Sequence, residues 1–123
     1  MTQQLHSGSG WRIGWNPNAH PYCGLVGADD WAIELTQLEF DDFCRLLEQI
    51  SEAIAAIQTE LMPEEGLSCE VESDRILLTA EGIPTAYALH LTVLQGRRAE
   101  GSWSALAAAN LLPTVQLLKA ENL

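Results

Sequence analysis

Residues 25–40 read LVGADDWAIELTQLEF, and inside this stretch the periodicity of the chain changes. Trp31, Ile33 and Leu35 alternate with Ala32, Glu34 and Thr36, the two-residue period of a strand with one apolar face. Beyond them Phe40, Phe43, Leu47, Ile50, Ile54, Ile57 and Leu61 recur every three or four residues, with Cys44 and Leu46 flanking the stripe. Asp41, Asp42, Arg45, Glu48, Glu52 and Glu60 occupy the opposite side. The spacing predicts an amphipathic helix over 37–61, stopped by Met62, Pro63 and the EEG that follows.

Four carboxylates, Asp29, Asp30, Glu34 and Glu39, crowd this junction. They read as punctuation rather than as a catalytic cluster. Asp29 and Asp30 stand at a hairpin tip after Gly27, where Gly and Asp tolerate the dihedrals of a tight reversal and the two side chains diverge into water. Glu34 points away from the Trp31, Ile33, Leu35 face. Thr36 and Glu39 make the T-x-x-E pattern of a capping box, each side chain satisfying a free backbone N–H at the helix start.

Working outward, Trp11, Ile13 and Trp15 alternate with Arg12 and Gly14 as a first strand, NPNAHP at 16–21 breaks it, and 23–28 form a second. MTQQLHSGSG at 1–10 has no comparable pattern and reads as a flexible tail. On the other side the same plan recurs: strands over 67–72, 75–81, 87–93 and 97–103, with turns at Asp74, at 82–85 and at Gln95–Gly96. From Ser104 the chain becomes helical, and Pro113, which lacks a backbone donor, makes that helix restart. The expected fold is one α+β domain over 11–123, built of two successive antiparallel β-sheet-then-helix units, 11–62 and 67–123.

The 123 residues suffice for one core. Hydrophobic residues at 47% and charged ones at 19% fit a folded soluble chain. No charged-then-apolar leader and no membrane-length apolar run is present, and Cys23, Cys44 and Cys69 are isolated thiols, so a cytoplasmic protein is expected. Seventeen acidic against six basic residues give a charge of −11, which repels polyanions at a distance.

The residues GWRIGWNP, the CGLVGADDWAIELTQLEF unit, the long helix and the GSW before the terminal helix resemble an uncharacterised cyanobacterial family, the domain of unknown function numbered 1818. The resemblance covers about Gly10 to Leu118 and implies no catalytic residues. More remotely, two sheet-then-helix units are similar to the fold of the Whirly proteins and of transcriptional positive cofactor four. That likeness implies single-stranded DNA binding and association through helices. The chain lacks the lysine-rich KGKAAL strand of the Whirly proteins, and its nearest basic feature, GRRAEG at 96–101, is interrupted by Glu100.

Individual motifs point to structure. Trp11, Trp15 and Trp31 share strand faces with Ile13, Ile33 and Leu35, so core or oligomer packing is their expected use, and Trp103 anchors the final helix. His20 and Cys23 form one H-x-x-C pair that Cys69 and His90 would have to complete, whereas structural zinc sites carry two tight pairs, so no metal is expected. His90 lies opposite the Tyr87, Leu89, Leu91 face. There is no GxSxG, HExxH or Walker loop, and Cys44 sits in a buried stripe as an inert thiol. The sequence therefore predicts a non-enzymatic binding or interaction module without a cofactor, associated as a homodimer or larger because the helix has more apolar positions than one small domain needs. The alternative is a single-stranded nucleic-acid binder using Arg12, Arg97 and Arg98 with Trp11 and Trp15. A small-ligand protein or an enzyme with an unrecognised site is the second alternative.

Overall fold

The computed structural model describes residues 3–122, so Met1 and Thr2 of the expected tail lie outside the described residues. The first sheet contains β1 (Gln4–Gly8), β2 (Trp11–Trp15), β3 (Gly24–Gly27) and β4 (Ala32–Leu35), and α1 (Gln37–Gln58) follows it. The second contains β5 (Leu67–Glu72), β6 (Ile76–Ile83), β7 (Ala86–Val93) and β8 (Glu100–Trp103), followed by α2 (Ala105–Ala108) and α3 (Leu111–Asn122). Each sheet is an antiparallel meander whose strands lie side by side in chain order. The α+β class and the repeated sheet-then-helix plan are as the sequence predicts. No helix among the described residues is long and apolar enough to cross a membrane.

Three boundaries differ from the sequence reading, each for a local reason. Part of the segment read as a flexible tail is β1, in register with β2 from Gln4↔Trp15 to Gly8↔Trp11. QLHSG has little apolar alternation because it is held by the backbone ladder, and Leu5, its one large apolar residue, is exposed. The strand expected from Arg97 starts only at Glu100, since Gly96 and Arg98 both take positive φ (74° and 48°) in a turn closed by Val93 N–H donating to Ala99 O. The helix expected over 37–61 stops at Gln58, with Thr59 as its cap. The restart near Pro113 is present: the break falls at Ala109–Asn110, and Pro113 occupies the first turn of α3, where its missing N–H costs little.

α1 supplies the centre of the core. Thr36 Oγ1 accepts from Glu39 N–H at 3.2 Å and Glu39 Oε1 accepts from Thr36 N–H at 2.9 Å, the reciprocal cap expected from T-x-x-E. Phe40, Phe43, Leu46, Leu47, Ile50 and Ile54 are all buried, packing on β5 and β6 of the second sheet and on β3 and β4 of the first. Each such side chain contributes roughly 1.5–3 kcal/mol by leaving water. The stripe is buried within the chain as far as Ile54, whereas Ile57 and, off the stripe, Leu38 stay exposed. Leu111, Val115 and Leu118 bury α3 against α1 and β2, while Ala107 and Ala108 seat α2 against β7.

Aromatic rings join the layers in a continuous series: Trp31 to Trp103 at 5.0 Å between centroids, Trp103 to Phe43 at 5.9 Å, Phe43 to Phe40 at 6.4 Å, and Phe40 to Trp15 at 5.4 Å. Two indole N–H groups fix the crossing. Trp103 Nε1, buried, donates to Gly27 O at 2.8 Å, and Trp31 Nε1 donates to Ser102 O at 3.1 Å.

Trp31 reaches Ser102 by lying across Gly101, where a Cβ would come within 2.6 Å of three ring atoms. Gly101→Ala must therefore push the ring off β8 and break its hydrogen bond, and we expect a loss of about 1–3 kcal/mol in urea unfolding. A loss below about 0.5 kcal/mol, the level of an ordinary surface substitution, would show that the ring does not hold the sheets together.

Candidate functional site

Where α1 begins, one helix face, Gln37, Phe40, Asp41, Cys44, Arg45 and Glu48, borders an open cleft of about 420 Å³. The i, i+3, i+4 spacing of α1 puts these residues on one line. Trp15 closes the cleft from the end of β2, and Leu118 and Lys119 close it from α3. Its buried lining is Phe40, Cys44 and Leu118, and its exposed rim includes Asp41, Arg45 and Lys119. Gly24 makes room for the floor, since a Cβ there would meet the Phe40 ring at 2.6 Å.

The rim charges are mostly matched in pairs. Asp42 accepts from Ser73 Oγ at 2.7 Å, from Arg45 at 3.4 Å and from Arg75 at 3.5 Å. Burial pushes the Asp42 carboxyl up, but these hydrogen bonds outweigh it and hold the group below its ordinary value. Lys119 lies 3.8 Å from Glu48. Asp41 behaves in the opposite way: desolvation first and the Asp42 charge second raise its pKa, against a smaller pull from Lys119. The Cys44 thiol is pushed up to about 12 by burial, so it stays neutral and is a poor nucleophile. Trp15 Nε1 is, among the described residues, a buried side-chain donor with no hydrogen-bond partner, a state that costs about 1–3 kcal/mol.

The residues named for nucleic-acid binding lie on β2 and on the turn before β8, and two of the three arginines make contacts within the fold. Arg12 spends its guanidinium on the hairpin beside it, donating from Nε to Ala28 O at 3.0 Å and from Nη2 to Trp31 O at 2.9 Å. Arg97 turns inward to Glu39, with Nη2 to Oε1 at 2.8 Å, donates also to Glu34 O, and lies over the Tyr22 ring at 4.8 Å. Arg98 is exposed on its turn. Trp11 and Trp15 are half-buried against the core. Sequence reasoning saw Glu39 only as a cap and missed its pairing with Arg97, 58 residues away. The available signal was an acid flanked by Phe40 in a buried first turn: a desolvated carboxylate needs a counter-charge, and the chain has few to offer.

Two further constellations carry less. Ser102 Oγ lies 2.5 Å from His90 Nδ1, and His90 Nε2 lies 3.1 Å from Glu100 Oε1, an order of groups that can relay a proton. They are cross-strand neighbours of the β7–β8 register on the solvent face, and the His90 and Glu100 side chains are 37% and 64% exposed. Register alone accounts for their contact. Among the described residues no three His, Cys, Asp or Glu side chains are grouped to hold a metal, and His20, Cys23, Cys69 and His90 do not form a set.

Glu39 yields a pH prediction. Burial acts to raise its pKa, but hydrogen bonds from Arg97 and the Thr36 backbone more than offset it, leaving the pKa below the ordinary 4.5. A depressed carboxylate stabilises the fold above its unfolded pKa, and that stability is lost as pH falls below about 4.5 through the folded value. Glu39→Gln should therefore destabilise by about 2–4 kcal/mol at neutral pH, where it orphans Arg97, and by progressively less toward acid, as followed by urea unfolding across pH. An equal penalty at all pH values would mean that Glu39 acts as a cap only.

Residues 6–118 match the model of a family described as Domain of unknown function (DUF1818). A crystal structure of a protein with unknown function from DUF155 family from Prochlorococcus sp. NATL2A superposes with a TM-score of 0.87 at 24% identity, covering 94% of this chain and 98% of that one. That likeness extends to the fold. A search of curated proteins finds no match. The family match covers α1, most of α3 and nearly all of both sheets, and so includes the cleft residues from Trp15 to Leu118, with Lys119 just beyond it. This chain belongs to the DUF1818 family.

Proposed function

We propose that this chain is a non-enzymatic binding module that takes its ligand in the cleft between α1 and α3. The observation that carries the reading is the cleft itself: about 420 Å³ of open volume over a floor of Trp15, Phe40, Cys44 and Leu118. Small-molecule sites usually fall between about 300 and 1,000 Å³ and combine an apolar floor with a few polar groups. Its most conspicuous nucleophile, Cys44, is held neutral, which supports binding over covalent chemistry. Free thiols at Cys23, Cys44 and Cys69 fit a reducing cytoplasm.

The single-stranded nucleic-acid alternative, which the likeness to the Whirly proteins and positive cofactor four suggests, is weaker in this geometry. Affinity for phosphates comes largely from counterions displaced by Lys and Arg. Arg12 and Arg97 are engaged by the fold's own carbonyls and by Glu39, although Arg97, like Arg98, is exposed on its turn. Most of the α1 stripe is used inside the chain, while Leu38, Ile57 and Leu106 leave apolar surface that supports homodimerisation.

The test fills the site. Asp41 is exposed at the rim, so Asp41→Trp places an indole across the mouth without disturbing the core. Protein purified gently from its natural host and weighed intact by native mass spectrometry should carry a small-molecule adduct that Asp41→Trp abolishes. Absence of an adduct, or one that survives the substitution, would contradict the proposal.

A further inference from the structure

We infer that the cleft selects an organic monocation, a protonated amine or quaternary ammonium group on an apolar body; the inference rests on the binding reading above. Charges decide the sign. The lining contains the carboxylates Asp41, Asp42 and Glu48 against the cations Arg45 and Lys119. Asp42 holds Arg45, and Glu48 holds Lys119, which leaves Asp41 the carboxylate without an ion-pair partner within 4 Å among the described residues. Partial desolvation at the cleft wall and its neighbour Asp42 raise its pKa against a smaller pull from Lys119, and a bound cation would favour the charged form. An anion would meet this excess charge and the −11 of the whole chain.

The floor fits the rest of such a ligand. Trp15, half-buried, lines the cleft together with Asp41 and packs on the buried Phe40 ring at 5.4 Å between centroids. Ring faces attract cations, and Arg or ammonium groups over Trp gain about 0.5–2 kcal/mol as the site becomes less hydrated. Leu118 and the neutral thiol of Cys44 offer apolar contact to the body of the ligand. A neutral molecule of the same shape would use the floor and leave Asp41 unpaired.

Trp15 also supplies the readout, because its indole N–H has no hydrogen-bond partner and reports on any change beside the cleft. In nitrogen-15 correlation spectra, with the Trp15 indole signal assigned through Trp15→Phe, benzylammonium, benzyl alcohol and benzoate are titrated separately. The inference predicts a saturable Trp15 shift with benzylammonium, about tenfold tighter than with benzyl alcohol, the size expected of one ring-supported ion pair in partly dehydrated surroundings. Benzoate should bind most weakly. Asp41→Asn should erase the preference, whereas Glu52→Gln, which removes the same charge from α1 outside the cleft lining, should keep it. Unmoved signals from the other three tryptophans in Asp41→Asn establish that the variant is folded. Equal binding of benzylammonium and benzyl alcohol, or a preference that survives Asp41→Asn, overturns the cationic class and leaves the binding cleft standing. No saturable Trp15 shift with any of the three probes overturns both.

Discussion

The Trp103 indole N–H, donating at 2.8 Å to the carbonyl of Gly27, is a buried hydrogen bond between the last strand of one sheet and the third strand of the other. A buried carbonyl deprived of such a donor retains most of its desolvation cost, so this contact sets how the two meanders meet. Trp31 reinforces it in the opposite direction, from the edge of the first sheet onto Gly101 and Ser102 of the second. Phe43 touches Trp103, Phe40 touches Phe43 and Trp15 touches Phe40, so the position of α1 and the closure of the cleft follow from the same joint. The shape of the cleft is a consequence of sheet docking.

Charge is used sparingly and mainly inside the fold. Six basic residues face seventeen acidic ones, and Arg12, Arg45, Arg75, Arg97 and Lys119 each engage a carbonyl or carboxylate of the same chain. Arg97 and Glu39 tie the β7–β8 turn to the start of α1, adding to a cap that local sequence already specifies. The surplus carboxylates remain at the surface, where they discourage polyanions and favour cations. Asp41 differs in standing at the mouth of a cavity with an aromatic floor.

Much of the architecture was legible because it is written in local periods. The two-to-3.6 switch at Thr36, the capping box and the restart near Pro113 all depend on residues within one turn of each other. β1 was illegible because its stability comes from the ladder to β2 rather than from its own side chains, and the start of β8 because a left-handed Arg98 has no sequence signature. The cleft had no motif: Trp15, Phe40, Asp41 and Leu118 come from β2, α1 and α3, and nothing local announces that they meet. Trp15 was legible as a packing residue from the face it shares with Ile13, but its partner Phe40 on α1 was not.

If the aromatic joint couples the sheets as described, neither sheet can open without the other. Native-state hydrogen exchange measures this directly, because each amide reports the free energy of the opening that exposes it. The slowest amides of β2–β3 and those of β6–β7 should exchange through one common opening, with the same free energy and the same dependence on denaturant. Protection that persists in one sheet while the other exchanges at distinctly lower free energy would contradict the account, showing two units that merely touch.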